Sequence, residues 1–314
     1  MLEYLRSFAY IEAIETNGSI RKAARALYIT PSALDRRLQE LEAELGVTLF
    51  ERHARGMRVT QAGEIFLHHV RAHRADSERM RSELDRLNGL HQGVIRIAAS
   101  QATTNFLLPR AIREFQALHP GVGFHVRVST HAALLDLLRR FEADIAIVYG
   151  LPHNEDLVTR LEIPQTLYAL MRIGHPLASH ARPGMKECMA FPLALPDIRL
   201  GLRSWVNAEI ACHPCRPEIA LESDSLEMLR RYVAATDAIT FQITAGVRGY
   251  GEADGIAVRP LERSATAPGV LAVVRLRDRV LPAPADAFVD TLQGMLHAAA
   301  DPPEQRLAFS EHSG

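Results

Sequence analysis

The sequence predicts an α/β protein that begins with a small all-α domain carrying a β-wing and continues through one long helix. Three observations support this fold class. Apolar residues recur at helical spacing between cap signals as far as Gly46, which predicts short packed helices. Residues 61–88 then show heptad spacing without proline. After Gly89 the pattern changes to alternating strands and helices, which predicts a mostly parallel sheet.

Length and composition indicate a soluble chain of two or three domains. The 314 residues are 47% hydrophobic and 23% charged, which excludes a disordered chain. No apolar run approaches the roughly 18 residues that span a bilayer, and the early charges of Glu3, Arg6 and Glu12 argue against a signal peptide. Three cysteines fit a reducing compartment. We therefore expect a cytoplasmic protein without a membrane partner.

The first 46 residues predict three helices. Gly18 ends the first, Ser19 can cap the second, and Thr30 caps the third with Pro31 at its first position; Gly46 ends that helix. Each helix has one apolar face, formed by Leu5, Phe8, Ile11 and Ile14, then Ile20, Ala23, Ala24 and Leu27, then Leu34, Leu38, Leu41 and Leu45. The second and third helices, joined by a tight turn, describe a helix-turn-helix.

Two short β-prone runs follow and flank an arginine-rich turn at Gly56, which predicts a β-wing. Residues 18–60 contain eight basic and five acidic side chains, although the whole chain has a net charge of −1. A positive local balance fits a nucleic-acid surface. The alternative is a small helical bundle with a solvated charged face.

The motifs of this region resemble the N-terminal domain of LysR-type transcriptional regulators. They are Gly18-Ser19-Ile20-Arg21-Lys22-Ala23-Ala24, Leu27, Pro31-Ser32-Ala33-Leu34, Leu41-Glu42, Leu45-Gly46, Leu49-Phe50-Glu51-Arg52 and Val59-Thr60-Gln61-Ala62-Gly63. Pro31 stands where the family commonly has a glutamine that reads the groove, and Asp35 where it commonly has serine. The operator sequence therefore cannot be taken from the family.

The resemblance implies sequence-specific binding to a double-stranded DNA operator. The residues expected to contact it are Arg21, Thr30, Pro31, Ser32, Asp35, Arg36, Arg37, Arg52, Arg55 and Arg58. Ser32, Asp35 and Arg36 are predicted to enter the major groove, with Arg37 nearer the backbone and Arg55 reaching the adjacent minor groove. Because a carboxylate can accept a hydrogen bond from a cytosine amino group, Asp35 predicts a cytosine at one operator position.

Residues 61–88 are predicted to form a linker helix that makes a homodimer. The a and d positions alternate in steps of four and three, and they are Phe66, Val70, His73, Ser77, Met80, Leu84 and Leu87. His73 and Ser77 weaken this coiled-coil pattern and can set its register. The alternative is a helix that lies on its own domain. The resemblance favours the dimer, and the pairing of dimers into tetramers is left open.

After Gly89 the sequence pattern predicts the order strand, helix, strand, helix, strand. Strands are predicted at residues 94–99, 124–128 and 144–148, with helices between them and a later strand at 271–274. In such an order ligands lie at the carboxyl ends of the strands.

The resemblance to LysR-type regulators continues here. Asp144-Ile145-Ala146-Ile147 and His175-Pro176-Leu177-Ala178 are similar to landmarks of the family's effector-binding domain, a two-lobed fold like that of periplasmic binding proteins. Thr236-Asp237-Ala238-Ile239 replaces the family's Gly-x-Gly-Ile turn, which leaves the shape of the cleft open.

These observations divide the chain into a winged helix-turn-helix domain (residues 1–60), a linker helix (61–89), an effector-binding domain (90–300) and a tail (301–314). The first lobe of the effector-binding domain is expected at about 90–163 and 268–300. The second lobe is expected at about 164–267.

The cleft between the lobes is expected to bind a small-molecule effector. By position, the candidate contacts are Ser100, Gln101, Thr103, Thr130, Tyr149 and Arg203. Hydroxyl groups and helix N-terminal amides favour an anion, most simply a small carboxylate. Each candidate can instead be an ordinary cap or turn residue. If Asp237 faces the cleft, a cationic ligand becomes the better expectation.

No motif predicts a cofactor, a metal site or catalysis. Cys212-His213-Pro214-Cys215 is a single Cys-x-x-Cys, so it is either an exposed loop or a redox pair, since zinc needs four ligands. Three hypotheses therefore stand: a LysR-type regulator, which contacts RNA polymerase if it activates; an α/β enzyme tethered to DNA; and a ligand-binding module whose helix-turn-helix contacts only proteins. The regulator is preferred because nucleophile, Walker and dinucleotide motifs are missing from the sequence.

Overall fold

A computed structural model describes residues 2–54, 56–87, 92–151, 154–247, 254–262 and 269–297. The chain divides into two compact units, with the boundary between Met80 and Arg81. Within the described residues, no helix combines the length and the apolar character needed to cross a membrane.

The first unit consists of helices with a two-stranded wing, as the sequence predicts. Its elements are α1 (Leu2–Asn17), α2 (Ile20–Ala26), α3 (Pro31–Leu45), β1 (Phe50–His53), β2 (Gly56–Val59) and the long helix α4 (Gln61–Leu87), which continues past the boundary. The strands β1 and β2 pair antiparallel, with Phe50 opposite Val59.

Local cap chemistry sets the bounds of α3. Thr30 is the N-cap, and its hydroxyl accepts a hydrogen bond from the Ala33 amide at 3.3 Å. Gly46 ends the helix with a φ of 68°, a left-handed conformation that glycine adopts without a steric penalty. Ser19 occupies the N-cap position of α2, but its side chain makes no cap hydrogen bond. Tyr28 forms the turn between α2 and α3 with a φ of 57°.

The wing lies against the turn between α1 and α2. The Met57 amide donates to the Gly18 carbonyl at 2.8 Å. A Cβ atom on Gly56 would lie 2.3 Å from the same carbonyl oxygen, so only glycine fits at this position. This contact joins the wing to the helical core, which is formed by Ile11, Ile14, Ala23, Ala24, Leu34, Leu38, Leu41, Leu49, Phe50 and Leu67.

The two halves of α4 have different surroundings. In the first half, Phe66 and His73 contact the ring of Phe8 edge-on, with ring centroids 6.0 and 5.7 Å apart. Ion pairs at 2.8 Å add to this packing, between Arg71 and Glu15 and between Arg74 and Glu12. Further along, Met80 and Leu84 are 57% and 50% exposed in the single chain. The first half therefore lies on its own domain, while the second presents apolar side chains to solvent.

The second unit contains mixed α/β structure. Its strands are β3 (Gly93–Ala99), β4 (Val122–Val128), β5 (Ile145–Tyr149), β6 (Leu157–Pro164), β7 (Leu167–Arg172), β8 (Leu193–Pro196), β9 (Ile219–Ser223), β10 (Thr240–Ile243), β11 (Ile256–Pro260) and β12 (Val270–Leu276). Its helices are α5 (Leu107–Leu118), α6 (His131–Arg139), α7 (Met185–Cys188), α8 (Gly201–Ala211), α9 (Leu226–Ala234), α10 (Thr244–Val247) and α11 (Ala283–His297), with 3-10 turns at Gln101–Thr103 and Pro176–Ser179.

A five-stranded sheet in the order β4-β3-β5-β12-β6 organises the first lobe. The strand β3 pairs parallel with β4 and β5, as the alternating pattern predicts. However, β12 pairs antiparallel with both β5 and β6. The expectation of a mostly parallel sheet therefore holds for three strands only, because β12 returns to this sheet from the second lobe in the opposite direction.

The second lobe is built around a three-stranded antiparallel sheet in the order β10-β7-β11. The parallel pair β8 and β9 lies beside it, and Leu193 of β8 forms a bridge with Ile239. The chain thus enters this lobe after β6 and leaves it before β12. The result is the two-lobed α/β fold that the sequence predicts.

The turn before β10 forms without the glycines of the family pattern. The Thr236 hydroxyl donates to the Tyr232 carbonyl at 3.0 Å and accepts from the Ala238 amide at 3.3 Å. The guanidinium of Arg172 binds the Asp237 carboxylate at 2.6 Å. Side-chain hydrogen bonds therefore hold this turn in place of glycine's conformational freedom.

Candidate functional site

The first candidate site is the exposed surface formed by the start of α3 and by the wing. Every described arginine that the sequence assigns to DNA is exposed, namely Arg21, Arg36, Arg37, Arg52 and Arg58. Thr30, Pro31 and Ser32 are exposed as well, and the hydroxyls of Thr30 and Ser32 lie 3.3 Å apart. Arg55 lies outside the described residues, so its minor-groove contact stays a prediction. This surface therefore presents both hydroxyl groups and positively charged guanidinium groups to solvent.

An ion pair connects α3 to the wing across this surface. The Arg52 guanidinium of β1 binds the Asp35 carboxylate of α3, which also accepts from the Gln39 amide at 3.4 Å. Asp35 therefore already has protein partners in the DNA-free chain. Contact with a cytosine amino group would require exchange or sharing of these hydrogen bonds.

Arg36 and Arg37 share one acidic partner. Nitrogen atoms of both side chains contact the Glu40 carboxylate, at 3.5 Å for Arg36 and 3.0 Å for Arg37. Exposed pairs of this kind contribute roughly 0.2–1 kcal/mol, so DNA phosphates or base edges can replace them at little cost.

Glu42 is a structural residue of this domain that the charge count did not single out. Its carboxylate accepts hydrogen bonds from the amides of Leu49 and Phe50, at 2.6 and 3.1 Å. It thereby fixes the point at which the chain leaves α3 and enters β1. Its presence in the Leu41-Glu42 motif was the signal available in the sequence.

The second candidate site is a pocket in the effector-binding domain. It contains about 390 Å³ of empty space, counting the part that is open to solvent. The described residues that line it are Ser100, Gln101, Ala102, Ser129, His131, Tyr149, Leu200, Gly201, Leu202 and Leu226. They come from the carboxyl ends of β3, β4 and β5 and from the beginnings of α6, α8 and α9. This is where a doubly wound sheet places a ligand.

Hydrogen-bond groups from both lobes meet in the pocket. Ser100 accepts a hydrogen bond from the Tyr149 amide at 3.3 Å through its hydroxyl. The Gln101 side-chain carbonyl accepts from the Leu226 amide at 2.9 Å, so a residue of the first lobe caps α9 of the second. Among the described lining residues there is no Asp, Glu, Lys or Arg. The beginnings of three helices therefore supply positive partial charge without a fixed counter-charge.

Tyr149 forms one side of this pocket and is tightly packed. Its ring stacks on Trp205 of α8, with centroids 5.8 Å apart. A Cβ atom on Gly269 would lie 1.7 Å from the Tyr149 hydroxyl, and one on Gly201 would lie 2.7 Å from its carbonyl. Burial raises the pKa of Tyr149 above its ordinary value, so the phenol stays neutral. Glycine at both positions is what lets the tyrosine sit between the two lobes.

Three of the predicted effector contacts lie away from the lining. Thr103 is fully buried, and its hydroxyl donates to the Ser100 carbonyl at 2.8 Å. Arg203 is buried with its guanidinium bound to the Pro196 carbonyl, at 2.7 Å, and to Glu222, at 2.6 Å. Thr130 is the N-cap of α6, next to lining residues on either side. Of the six candidates, Ser100, Gln101 and Tyr149 are brought together.

Several lining residues were missed by the sequence reasoning. Ser129 and His131, on either side of the predicted Thr130, line the pocket, while Thr130 itself is not part of the lining. Gly201 and Leu226 belong to the second lobe, and their sequence carries no local signal that they would face β3.

His131 has an unusual environment. Its Nε2 atom is shielded from solvent and has no hydrogen-bond partner among the residues that the structure describes. Burial lowers the pKa of His131 below its ordinary value, which favours the neutral ring. A buried polar atom without a partner is uncommon in folded proteins and calls for an explanation.

Asp237 does not line the pocket within the described residues. Its carboxylate pairs with Arg172, and its backbone carbonyl lies 3.2 Å from Nε2 of His175. The negative charge that would favour a cationic ligand is therefore engaged elsewhere in the second lobe.

The cysteines form no metal site among the described residues, where no cluster of three or more His, Cys, Asp or Glu side chains is found. Cys212 and Cys215 are exposed, and the Cys212 thiol donates to the Ala208 carbonyl at 3.3 Å. Cys188 is buried, and burial raises the pKa of its thiol to about 12. Cys188 is thus an unreactive core residue.

Comparison with known proteins identifies both units. The family model "Bacterial regulatory helix-turn-helix protein, lysR family" matches residues 5–64, and "LysR substrate binding domain" matches residues 88–296. The SDS degradation transcriptional activation protein of a Pseudomonas species is 30% identical over 281 residues, which cover 85% of this chain and 86% of that protein. The transcriptional dual regulator GltC of Bacillus subtilis is 27% identical over 242 residues, 75% of this chain and 79% of that protein.

The fold is also found among solved structures. Full-length OxyR from Pseudomonas aeruginosa, solved as a single-site variant, superimposes with a TM-score of 0.69 at 22% identity. The match covers 93% of this chain and 94% of that one. The family and the curated relatives are transcriptional regulators and not enzymes, which rejects the tethered-enzyme alternative. The chain belongs to the LysR family of transcriptional regulators, with a DNA-binding helix-turn-helix domain followed by an effector-binding domain.

Proposed function

We propose that this regulator changes its affinity for an operator, or the geometry of the bound DNA, when a small carboxylate enters the pocket between its lobes. The observation that carries the proposal is the meeting of three helix beginnings at a pocket whose described lining includes no charged side chain. An anion gains charge-assisted hydrogen bonds there and meets no fixed negative charge.

The chemistry of the lining restricts the ligand further. Ser100 and Ser129 offer hydroxyls, while Tyr149, Leu200, Leu202 and Leu226 offer apolar surface. A small molecule with one ionised group and a short apolar or aromatic body satisfies both.

The test uses acetate, succinate and benzoate as probes of the full-length protein. Ser100→Ala removes a hydroxyl from the lining and is expected to weaken binding of the responding carboxylate about tenfold, measured by calorimetry. Asp237→Asn serves as the control and should leave binding unchanged. If none of the three anions binds, or if only the Asp237 change matters, the carboxylate assignment is wrong and the ligand class must be cationic or neutral.

On the DNA side, we propose that α3 enters the major groove and the wing follows the adjacent minor groove. Ser32 and Arg36 at the exposed start of α3 are the proposed base readers, and Arg37, Arg52 and Arg58 the proposed phosphate contacts. Arg21, Thr30 and Pro31 are further proposed contacts with the DNA. Asp35 is proposed to read a base after Arg52 releases its carboxylate.

We propose a homodimer through the second half of α4, where Met80 and Leu84 are exposed in one chain. Two-fold symmetry would place two recognition helices on successive half-sites of a palindromic operator. A cytoplasmic location completes this proposal, together with contact to RNA polymerase if the protein activates transcription. Whether two dimers pair into a tetramer is left open, as in the sequence analysis.

A further inference from the structure

Tyr28, in the turn between α2 and α3, has a backbone conformation that a large side chain does not favour. Its φ of 57° lies in the left-handed region, where the Cβ atom comes too close to the following carbonyl oxygen. The Tyr28 amide donates to the Arg25 carbonyl at 3.2 Å, and the Ile29 amide donates to the Ala24 carbonyl at 3.0 Å. These two bonds form a Schellman motif, in which glycine is the usual residue at the left-handed position. Tyrosine there therefore strains the turn relative to glycine.

No contact within the described part of the chain explains why an aromatic residue stands at this position. Tyr28 is 96% exposed. Phe141 is the other described residue besides the glycines with a positive φ, at 56°, and it follows the end of α6 in the same way. The guanidinium of Arg279 lies over the Phe141 ring, 5.4 Å from its centroid. The Phe141 ring thus has a partner inside the protein, whereas the Tyr28 ring is presented to solvent.

The charges around this turn favour an anionic partner. Residues 16–34 contain no acidic side chain. The cations of this stretch all lie on the exposed face of α2, and they are Arg21, Lys22 and Arg25. Within the described residues, none of the three is bound to a carboxylate. The turn at Tyr28 therefore follows directly on a helix face that carries only positive charge.

The acidic residues on either side of this stretch are already paired. Glu15 of α1 binds Arg71 at 2.8 Å, and Asp35 of α3 binds Arg52. What remains exposed beside the Tyr28 hydroxyl is a set of cations and the hydroxyl of Thr30. Cations, hydroxyls and a tyrosine O–H are the side-chain groups that contact the phosphates of DNA.

We propose that Tyr28 binds the DNA backbone, with its hydroxyl donating a hydrogen bond to a phosphate oxygen and its ring packing on the adjoining sugar. This inference rests on the proposed entry of α3 into the major groove, because Tyr28 precedes Thr30, the N-cap of that helix, by two residues. The contact adds affinity for DNA but no base preference, since phosphates carry no sequence information.

The proposal gives the strained turn a function. Unfavourable backbone conformations cluster at binding sites, where the position of the side chain matters more than the stability that it costs. Glycine at position 28 would remove the strain and the DNA contact together. Tyr28→Gly should therefore weaken DNA binding without lowering the stability of the protein.

Fluorescence anisotropy of the full-length protein tests this inference on one labelled duplex, the tightest that the unaltered protein selects from a random DNA library. Tyr28→Gly should weaken binding about tenfold or more, because a hydrogen bond to a charged group is lost. Tyr28→Phe keeps the ring and the backbone conformation and removes only the hydroxyl, so it should weaken binding about fivefold.

The salt dependence supplies a second measurement. A tyrosine hydroxyl is uncharged near neutral pH, so its phosphate contact displaces no counterion. Both Tyr28 variants should therefore keep the slope of affinity against salt concentration of the unaltered protein. A slope that falls as it does on loss of a cation would contradict a neutral contact with phosphate.

The matched control is Val47→Ala, which shortens a 46% exposed side chain of the same unit, just beyond the opposite end of α3. It should bind the duplex as tightly as the unaltered protein. Thermal melts complete the comparison, since Tyr28→Gly should melt no lower than the unaltered protein. If Tyr28→Gly melts at a lower temperature and Tyr28→Phe binds normally, Tyr28 has a structural role and the proposal is wrong.

The remaining outcomes separate this inference from the proposed function. If the unaltered protein binds the selected duplex and both Tyr28 variants bind it equally well, the Tyr28 assignment is wrong while operator binding stands. If the unaltered protein selects no duplex from the library, the proposed DNA contacts themselves are wrong, and the Tyr28 assignment is overturned with them.

Discussion

Arg36 and Arg37 are neighbours on α3 that we expect to contribute differently to operator binding. An arginine that reaches a guanine edge discriminates by about 1–3 kcal/mol, whereas a phosphate contact carries no sequence information. Arg36→Ala should therefore weaken operator binding and relax the preference at one base position, while Arg37→Ala weakens binding to every sequence alike. Fluorescence anisotropy with a library of single-base operator variants measures both. If Arg36→Ala keeps the base preference of the unaltered protein, a residue other than Arg36 reads that base.

Asp144 and Arg279 form a buried ion pair in the first lobe. Asp144 is fully buried, and its carboxylate accepts from Arg279 at 2.5 Å and from the Arg96 amide at 2.8 Å. Asp144→Ala removes the carboxylate that pairs with the buried charge of Arg279, and breaking a buried pair typically costs about 3–5 kcal/mol.

Urea unfolding followed by the fluorescence of Trp205, the single tryptophan, measures this loss. Glu114→Ala is the control, because it removes an exposed pair with Arg110 on α5 and should change stability by less than about 0.5 kcal/mol. Equal effects of the two variants would show that the buried pair adds nothing beyond a surface pair.

At the scale of elements, α4 gives the sharpest prediction. Met80→Glu combined with Leu84→Glu places charges in the proposed apolar seam of the dimer, where burial without a partner costs several kcal/mol. We expect this variant to be monomeric by light scattering at micromolar concentration.

Val280→Glu is the matched control for the dimer, because Val280 is 64% exposed but lies outside α4. It should remain dimeric. A doubly charged α4 that still dimerises would place the interface on another surface of the chain.

The elements differ in how far the sequence predicts them. Helices α1 to α3 and the wing follow from local signals, since Thr30, Pro31 and Gly46 act within a few residues of where they stand. The direction of β12 depends on a return from the second lobe that no local pattern encodes. The sequence likewise could not predict what packs against α4. Heptad spacing identifies one apolar face of the helix but not the surface that covers it.

The effector pocket shows the same division between local and distant information. Ser100, Gln101 and Tyr149 were predictable because the ends of parallel strands meet at one edge. Leu226 and Gly201 reach the pocket only through the closure of the two lobes. Thr103 and Arg203 have the right chemistry, but their polar groups bond to the protein itself.

For the whole molecule, the charge distribution predicts how DNA binding depends on salt. The net charge of −1 gives no general attraction to DNA, so binding must come from the local basic surface. Affinity for any DNA should fall steeply with salt concentration, with a slope set by the number of phosphates contacted. Arg21→Ala combined with Arg58→Ala should lower that slope by about two.

Arg231→Ala, in the effector-binding domain, provides the control and should leave the slope unchanged. Binding that does not respond to salt would contradict the proposed phosphate contacts and would favour a helix-turn-helix that contacts proteins.

The contact between Gly56 and Gly18 has a consequence for operator sequences. Because the wing is fixed to the turn before α2, the distance between the wing and α3 is fixed as well. Consider a base pair inserted between the DNA position contacted by α3 and the position contacted by the wing. It would rotate one position relative to the other by about a tenth of a helical turn, and the fixed distance between α3 and the wing could not change to follow it. Natural operators of this regulator should therefore keep the spacing inside each half-site constant, even where the bases between the contacts differ.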